Sequence, residues 1–295
     1  MDVSRSFLES EAGAEPGCGR LYLVGTPIGN LEDMTYRAIR ILREVDLIAA
    51  EDTRQTRKLL THYEIQGRLV SYHEHNKHTS GPELVRLLVE GQSIALVSDA
   101  GMPAISDPGE ELVGLAIAQG IPVIPIPGAS ASLSALVISG LSTEMFQFIG
   151  FLPREKKKQR TELTALKSVG ATLIVYESPH RLQETLEAML SIWGERRIAA
   201  VRELTKRYEE AARGTIRELI AYLADHPPKG EYVLVIEGDT GLGAQEEPAW
   251  WTQLSAAEHV ASYEAQQMTR KEAMRKAAAD RGVSRRDIYQ QLLRT

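Results

Sequence analysis

The 295-residue chain holds a single cysteine, Cys18, and only four phenylalanines; aromatic residues make up 6% of it. One thiol excludes an internal disulfide framework, which fits a reducing cytosol. No run of about 18 apolar residues occurs, so no membrane-spanning helix is expected. The first 17 residues lack the basic start and apolar run of a secretory signal, so export is not expected either. An excess of basic charge is missing too. With 34 Lys and Arg against 40 Asp and Glu, the net charge is -6, which argues against a surface that grips nucleic acid over its whole extent. His73, His75 and His78 lie close together, but no cysteine or carboxylate spacing completes a metal site, so no metal is expected.

What is present is a chain that is 43% hydrophobic and 25% charged, enough for about two domains of ordinary size, each with its own core. The charge is unevenly spread. Residues 266–295 hold eight basic and three acidic side chains, a local charge of +5 that leaves -11 on the remainder. The Glu, Ser, Gly and Pro content of residues 1–18 reads as a flexible tail. From Leu21 onward short apolar runs alternate with amphipathic stretches, the pattern of an α/β architecture with a largely parallel sheet. Strands are predicted at 21–24, 47–50, 69–72, 94–98 and 123–125, with helices at 35–44, 81–90 and 109–119, the last ending at Gly120 as a left-handed cap. A second alternating set has strands at 146–151, 172–176, 198–202 and 232–236 and helices at 159–168, 179–193 and 215–224. The Pro-rich run ending at Pro127-Gly128 marks the boundary between an N-terminal α/β domain (19–127) and a C-terminal one (128–240). Residues 238–248 read as a linker. A basic helical extension (247–295) follows, with helices at 269–281 and 284–294 resembling a small helix-turn-helix unit.

Three loops at strand ends carry the chemistry. The first strand runs into Gly25-Thr26-Pro27-Ile28-Gly29-Asn30-Leu31, at the edge where open α/β sheets place ligands. It is neither G-x-G-x-x-G nor G-x-x-x-x-G-K-[ST], so the fingerprints of dinucleotide and P-loop nucleotide binding are absent from it. The fourth strand runs into Ser98-Asp99-Ala100-Gly101-Met102-Pro103-Ala104-Ile105-Ser106-Asp107-Pro108-Gly109. The fifth delivers Pro127-Gly128-Ala129-Ser130-Ala131 and then a helix that Ser130 can cap, where backbone N–H groups can bind a carboxylate. Three glycine-bearing loops at one sheet edge point to a pocket.

These loops, with Ala50-Glu51-Asp52-Thr53-Arg54, Gly150-Phe151-Leu152-Pro153, Tyr176-Glu177-Ser178-Pro179-His180-Arg181 and Arg202-Glu203-Leu204-Thr205-Lys206, resemble in order the signature segments of the 16S ribosomal RNA 2'-O-ribose cytidine methyltransferases of the tetrapyrrole-methylase superfamily. The likeness runs from about Leu21 to Gly238, and the basic tail with Tyr289 is similar to that family's C-terminal segment. Pro27 and Asn30 stand where many superfamily members have a glycine-rich turn ending in Asp, which argues against the porphyrinoid and diphthine branches. The resemblance implies two α/β domains with S-adenosylmethionine in the cleft between them, a small C-terminal helical extension, and a homodimer acting in the cytoplasm on 16S rRNA of the small ribosomal subunit. It implies cofactor contacts from Pro27, Ile28, Ser98, Asp99, Ala100, Met102, Ile105, Ser130 and Ala131, with Tyr176 and Glu231 or Tyr232 from the second domain.

On physical grounds Asp99 suits the cofactor's amino group or sulfonium charge, or a turn cap; Ala100, Ile105 and Ala131 suit an apolar wall for adenine. A ribose hydroxyl is a weak nucleophile, so a base or a nearby cation that favours the alkoxide would help. The candidates are Glu51 and Asp52, His180 with Glu177, and Glu203 with Lys206. Each has a structural alternative: Glu51, Asp52 and Arg54 as an ion-pair group, His180 as a hydrogen-bonded helix start, Lys206 as a phosphate contact. Lys156, Lys157, Lys158 and Arg160, and Arg270, Lys271, Arg275, Arg285 and Arg286, are candidate RNA phosphate contacts or else solvated faces. Two competing functions remain open: the same cofactor with a porphyrinoid or protein acceptor, and a non-enzymatic nucleic-acid binder built on the C-terminal helices.

Overall fold

The computed structural model describes residues 17–107, 109–241, 251, 254–266, 268–281 and 283–292. Most of the expected tail at 1–18, the linker from residue 242 on and residues 293–295 lie outside them. The chain forms two compact units, Met1–Thr240 and Gly241–Thr295.

The first unit contains two five-stranded sheets. The first is built from β1 (Leu21–Val24), β2 (Leu47–Ala50), β3 (Leu69–Ser71), β4 (Ile94–Val97) and β5 (Val123–Ile126), connected through α1 (Tyr36–Glu44), α2 (Thr53–His62), α3 (Lys77–Val89) and α4 (Gly109–Ala118). Its order is β3-β2-β4-β1-β5, and every pairing is parallel. A parallel sheet is covered on both faces, so its strands are apolar on both. In β2 and β4, Ile48, Ala50, Ala95 and Val97 pack with α1 and α2 residues such as Ile41, Leu42 and Leu60. Leu47, Ala49, Ile94 and Leu96 face Leu84, Leu88, Leu112 and Ala116 of α3 and α4.

The second sheet follows α5 (Ala131–Ser139). It comprises β6 (Phe146–Phe151), β7 (Thr172–Glu177), β8 (Arg197–Arg202), β9 (Glu210–Thr215) and β10 (Tyr232–Ile236), with α6 (Lys156–Leu166), α7 (Leu182–Trp193) and α8 (Ile216–Asp225) between them. Its order is β6-β7-β10-β8-β9. Only β6 and β7 run parallel; the other three pairings are antiparallel. The α6–α8 layer covers one face around Leu163, Leu186, Met189 and Leu219. On the other face α5 places Ala135 and Leu136 against Ile174, Val201 and Val235.

A largely parallel sheet is therefore correct for the first half and not for the second. An unpredicted strand, β9, is the reason. It returns antiparallel to β8 along an edge, and its sequence, Glu-Ala-Ala-Arg-Gly-Thr, lacks the β-branched run by which strands are recognised. One helix, α2, was likewise not anticipated, and another, α3, starts earlier than expected. α2 begins at the Asp52 cap and is strongly polar, with only Thr56 and Leu60 buried. α3 begins four residues before the expected start at Gly81, so Pro82 lies inside it; burial of Leu84 and Leu88 beside Tyr72 outweighs the local helix-breaking signal.

The second unit has three helices where two were expected: α9 (Ala256–Glu264), α10 (Arg270–Asp280) and α11 (Arg285–Leu292). Ser255 with Glu258 and Thr269 with Glu272 form capping boxes. Val260, Tyr263, Ala273, Ala277 and Ile288 make its small core. Arg270, Lys271, Arg275, Arg285 and Arg286 are all exposed. Among the described residues no helix is long and apolar enough to cross a membrane.

Candidate active site

In the first sheet β4, β1 and β5 are neighbours, so the loops leaving their carboxyl ends meet. Thr26 and Gly101 exchange backbone hydrogen bonds of 2.9 and 3.1 Å, and the Thr26 hydroxyl donates to the Ser98 carbonyl at 3.2 Å. Gly101 holds φ at +79°, a conformation glycine reaches without strain. Gly25 and Gly128 press backbone to backbone: a Cβ on Gly25 would come within 2.8 Å of the Gly128 Cα. Ser130 caps α5 by accepting from the Leu133 N–H.

The second sheet contributes a tight turn after β8. Glu203 and Thr205 lie at φ +50° and +65°, costly for non-glycine residues and retained where the surroundings impose it. The Glu203 carboxylate accepts from Lys206 Nζ at 3.1 Å. The Thr205 hydroxyl oxygen accepts the Asn30 N–H at 3.0 Å, and the Lys206 stem lies so close to Gly29 that a Cβ there would meet it at 2.4 Å. Ala104 and Ser106 also have positive φ, so backbone strain gathers in the two loops that face each other.

Between the sheets is a cleft of about 830 Å³, lined on one side by Ile28, Glu51, Ser98, Asp99, Ala100, Met102, Ile105, Ser130 and Ala131 and on the other by Tyr176, Glu203, Lys206, Glu231 and Tyr232. That volume suits a bound small molecule. Pro27 does not line it. Asp52 does not either: it caps α2, and its carboxylate binds Arg54 at 2.8 Å, which holds that carboxyl down at about 2. His180 is exposed and outside the lining. The cleft also contains Phe148, Val201 and Val233, which no loop motif signals because they sit within strands, and Phe151 of the Gly150–Pro153 segment, to which the sequence assigns no role in the site. Glu177, also in the lining, accepts the Thr185 hydroxyl at 2.6 Å and the Ser178 N–H at 2.8 Å. Arg181 lies 3.7 Å from it and donates to the carbonyl of Pro153 at 2.9 Å.

Three acids cluster on the first-sheet side. Burial, then the neighbouring charges of Asp99 and Asp107, push the Glu51 carboxyl up. Burial pushes Asp107 up as well, although its Oδ1 accepts the N–H groups of Ala104 and Gly109. Asp99 accepts the Asp52 N–H at 3.0 Å. Such a site favours a cationic or proton-releasing ligand. Among the described residues no group of three or more His, Cys, Asp and Glu side chains is arranged to hold a metal ion. Of the basic candidates on α6, Lys156 pairs with Glu184 at 2.6 Å and Lys158 with Glu155 at 3.0 Å; Lys157 and Arg160 are exposed.

With two α/β layers clasping a cleft through their strand-end loops, the chain belongs to the tetrapyrrole (corrin/porphyrin) methylases, whose family model matches residues 20–220. Among its curated relatives is the ribosomal RNA small subunit methyltransferase I of Halalkalibacterium halodurans, 59% identical over 92% of this chain and 93% of that protein. Proteins of the same name from Bacillus subtilis and a Synechocystis species are 55% and 47% identical over 92% of the chain. Solved structures share the fold at lower identity. A diphthine synthase aligns with a TM-score of 0.60 at 16% identity, over 75% of this chain and 91% of that one. The uroporphyrin-III-C-methyltransferase of Thermus thermophilus aligns at 0.53 and 22%, over 74% and 94%.

Proposed function

We propose that the chain transfers a methyl group from S-adenosylmethionine to the ribose 2'-hydroxyl of a cytidine in 16S ribosomal RNA of the small subunit. One observation carries the reading: a single cleft joins a glycine-built, acid-lined wall to a wall bearing the Glu203–Lys206 pair. The relatives that match 92% of the chain, both ribosomal RNA small subunit methyltransferases, support small-subunit ribosomal RNA as the acceptor.

The residues present fit the cofactor. Bound there, S-adenosylmethionine supplies a methyl group on a positively charged sulfur. Asp99 and Glu51 place negative charge where a sulfonium or amino group is favoured, and Ala100, Ile105 and Ala131 offer an apolar wall to a purine. The Gly25–Gly128 contact keeps side chains out of the space between the first and fifth loops. Lys206 brings a cation that favours an alkoxide, and Glu203 fixes its position. Glu51, which lines the cleft and whose carboxyl is pushed up by burial and by the charges of Asp99 and Asp107, is the proposed base for the hydroxyl proton. Transfer then needs the acceptor aligned and water excluded, which a cleft between two walls provides.

On this reading the exposed Lys157 and Arg160 and the basic face of α10 and α11 meet RNA phosphates. A homodimer is part of the proposal: α5 turns Leu133, Val137 and Ile138 outward, Val137 with 71% of its surface exposed, an apolar face of the kind that marks an interface. The cytoplasm, where ribosomes assemble, is the proposed location. The test is transfer of labelled methyl to small ribosomal subunits lacking the modification, followed by nuclease digestion. Label in 2'-O-methylcytidine, lost with Asp99→Ala, is the expected result. Label in protein or porphyrinoid with none in RNA would transfer the reading to another acceptor, and no affinity for the cofactor would end it.

A further inference from the structure

Phe151 ends β6 at the lining of the cleft, yet 59% of its surface is exposed. Its placement depends on an irregularity in the strand. Phe148 pairs with Ile174 and Phe151 with Tyr176, while the register shifts between Phe148 and Gly150, so Ile149 is an extra residue. Side chains alternate between faces along a regular strand, which would put Phe148 and Phe151, three apart, on opposite faces. The bulge brings them to the same one. Both rings then meet Tyr176 edge to face, at 5.0 and 5.5 Å between centroids. Gly150 makes the bend with φ at +73°, a position where a Cβ would sit 3.2 Å from the Ser106 hydroxyl oxygen.

The next residues are held firmly. Arg181 donates to the carbonyls of both Leu152 and Pro153, and its partner Glu177 is fully buried. Five residues beyond Phe151, α6 opens with three lysines. An aromatic ring in the cleft lining, backed by Tyr176 and followed in the chain by a helix with Lys157 and Arg160 exposed, combines what recognises an unpaired nucleobase: stacking for the base, charge for the phosphate.

We propose that Phe151 is a stacking platform for an unpaired base of the RNA substrate, turned to the cleft by the bulge at Ile149 and held there by Tyr176, so that the acceptor ribose enters in register. The proposal rests on the RNA-methyltransferase reading above and adds a specificity-determining residue to it. Stacking needs a π face, whereas packing needs only apolar volume, and this separates the two roles.

The full chain and its Phe151→Trp, Phe151→Leu and Phe151→Ala variants are compared for labelled methyl transfer to small subunits lacking the modification, and for S-adenosylmethionine affinity by calorimetry. Trp is expected to keep kcat/KM for the subunit within about threefold of the native chain, because its π face is larger. Leu and Ala are expected to lower it by about 5- to 150-fold, the worth of one stacked base, with cofactor affinity and thermal midpoint unchanged in all three. A Leu variant as active as the native chain overturns the proposal, and so does a parallel loss of cofactor affinity, which would assign the ring to the cofactor's own pocket. If the native chain binds the cofactor but methylates no RNA, the underlying reading fails and the proposal with it.

Discussion

The two sheets reach the same cleft by different means. The first wall is made of backbone: Gly25 against Gly128, Thr26 bridged to Gly101, Gly29 against the stem of Lys206. The second is made of side chains: the aromatic group of Phe148, Phe151 and Tyr176, and the buried Glu177 tied to Arg181, Thr185 and Ser178. The difference follows from strand direction. Parallel strands deliver several carboxyl-end loops to one edge, where loops crowd and small residues let them approach. A mixed sheet delivers fewer such loops and relies on side chains projecting from the strands themselves.

The comparison breaks most severely if Arg181→Met is mild. Removing the guanidinium leaves a buried carboxylate short of its charge partner, and the loss is expected near the lower end of the usual 3–5 kcal/mol, since the Thr185 and Ser178 hydrogen bonds stay; urea unfolding measures it. Gly128→Ala is expected to cost about 1–3 kcal/mol by overpacking, and to weaken S-adenosylmethionine binding by more than that loss explains. Equal affinity in the calorimeter would show that the backbone contact does not shape the pocket. Gly150→Ala places an L residue in left-handed backbone at about 1–2 kcal/mol; its thermal midpoint should fall.

The smallest effect sharpens the electrostatic side. The Glu51 carboxyl is pushed above the ordinary range, so the folded chain holds that proton more tightly than the unfolded one. The associated stability is present below the unfolded value and lost as pH rises through the folded value. Glu51→Gln is therefore expected to raise the melting temperature slightly at pH 7, with the gain vanishing near about pH 4. A gain that persists in acid would sink this account. If Glu51 also accepts the hydroxyl proton, the variant methylates slowly despite its added stability.

Much of the first sheet was readable in the chain because its signals are local. Four-residue apolar runs such as Leu47–Ala50 are bounded by turn residues, and α1 announces itself through the Thr35 cap and buried Ala38, Ile41 and Leu42. The glycine-bearing loops were visible for the same reason. α2 escaped because it buries little, and β9 because an edge strand pairing on one side tolerates Arg and Gly. The Gly150-Phe151-Leu152-Pro153 segment stood out in the chain, but no role for Phe151 was legible there, since the residue that re-aims it is an isoleucine with no signal of its own.

The amino-acid sequence by itself determined the alternation of strand and helix, the glycines at the loop tips and the uneven charge, because these depend on periodicity, steric freedom and composition within short stretches. Only the tertiary structure decided the direction of β8–β10, the bulge that turns Phe148 and Phe151 to one face, and the meeting of Gly29 with Lys206 across 177 positions of chain. Those depend on which surfaces pack together, and packing is settled by contacts between segments whose separate sequences hold no record of each other.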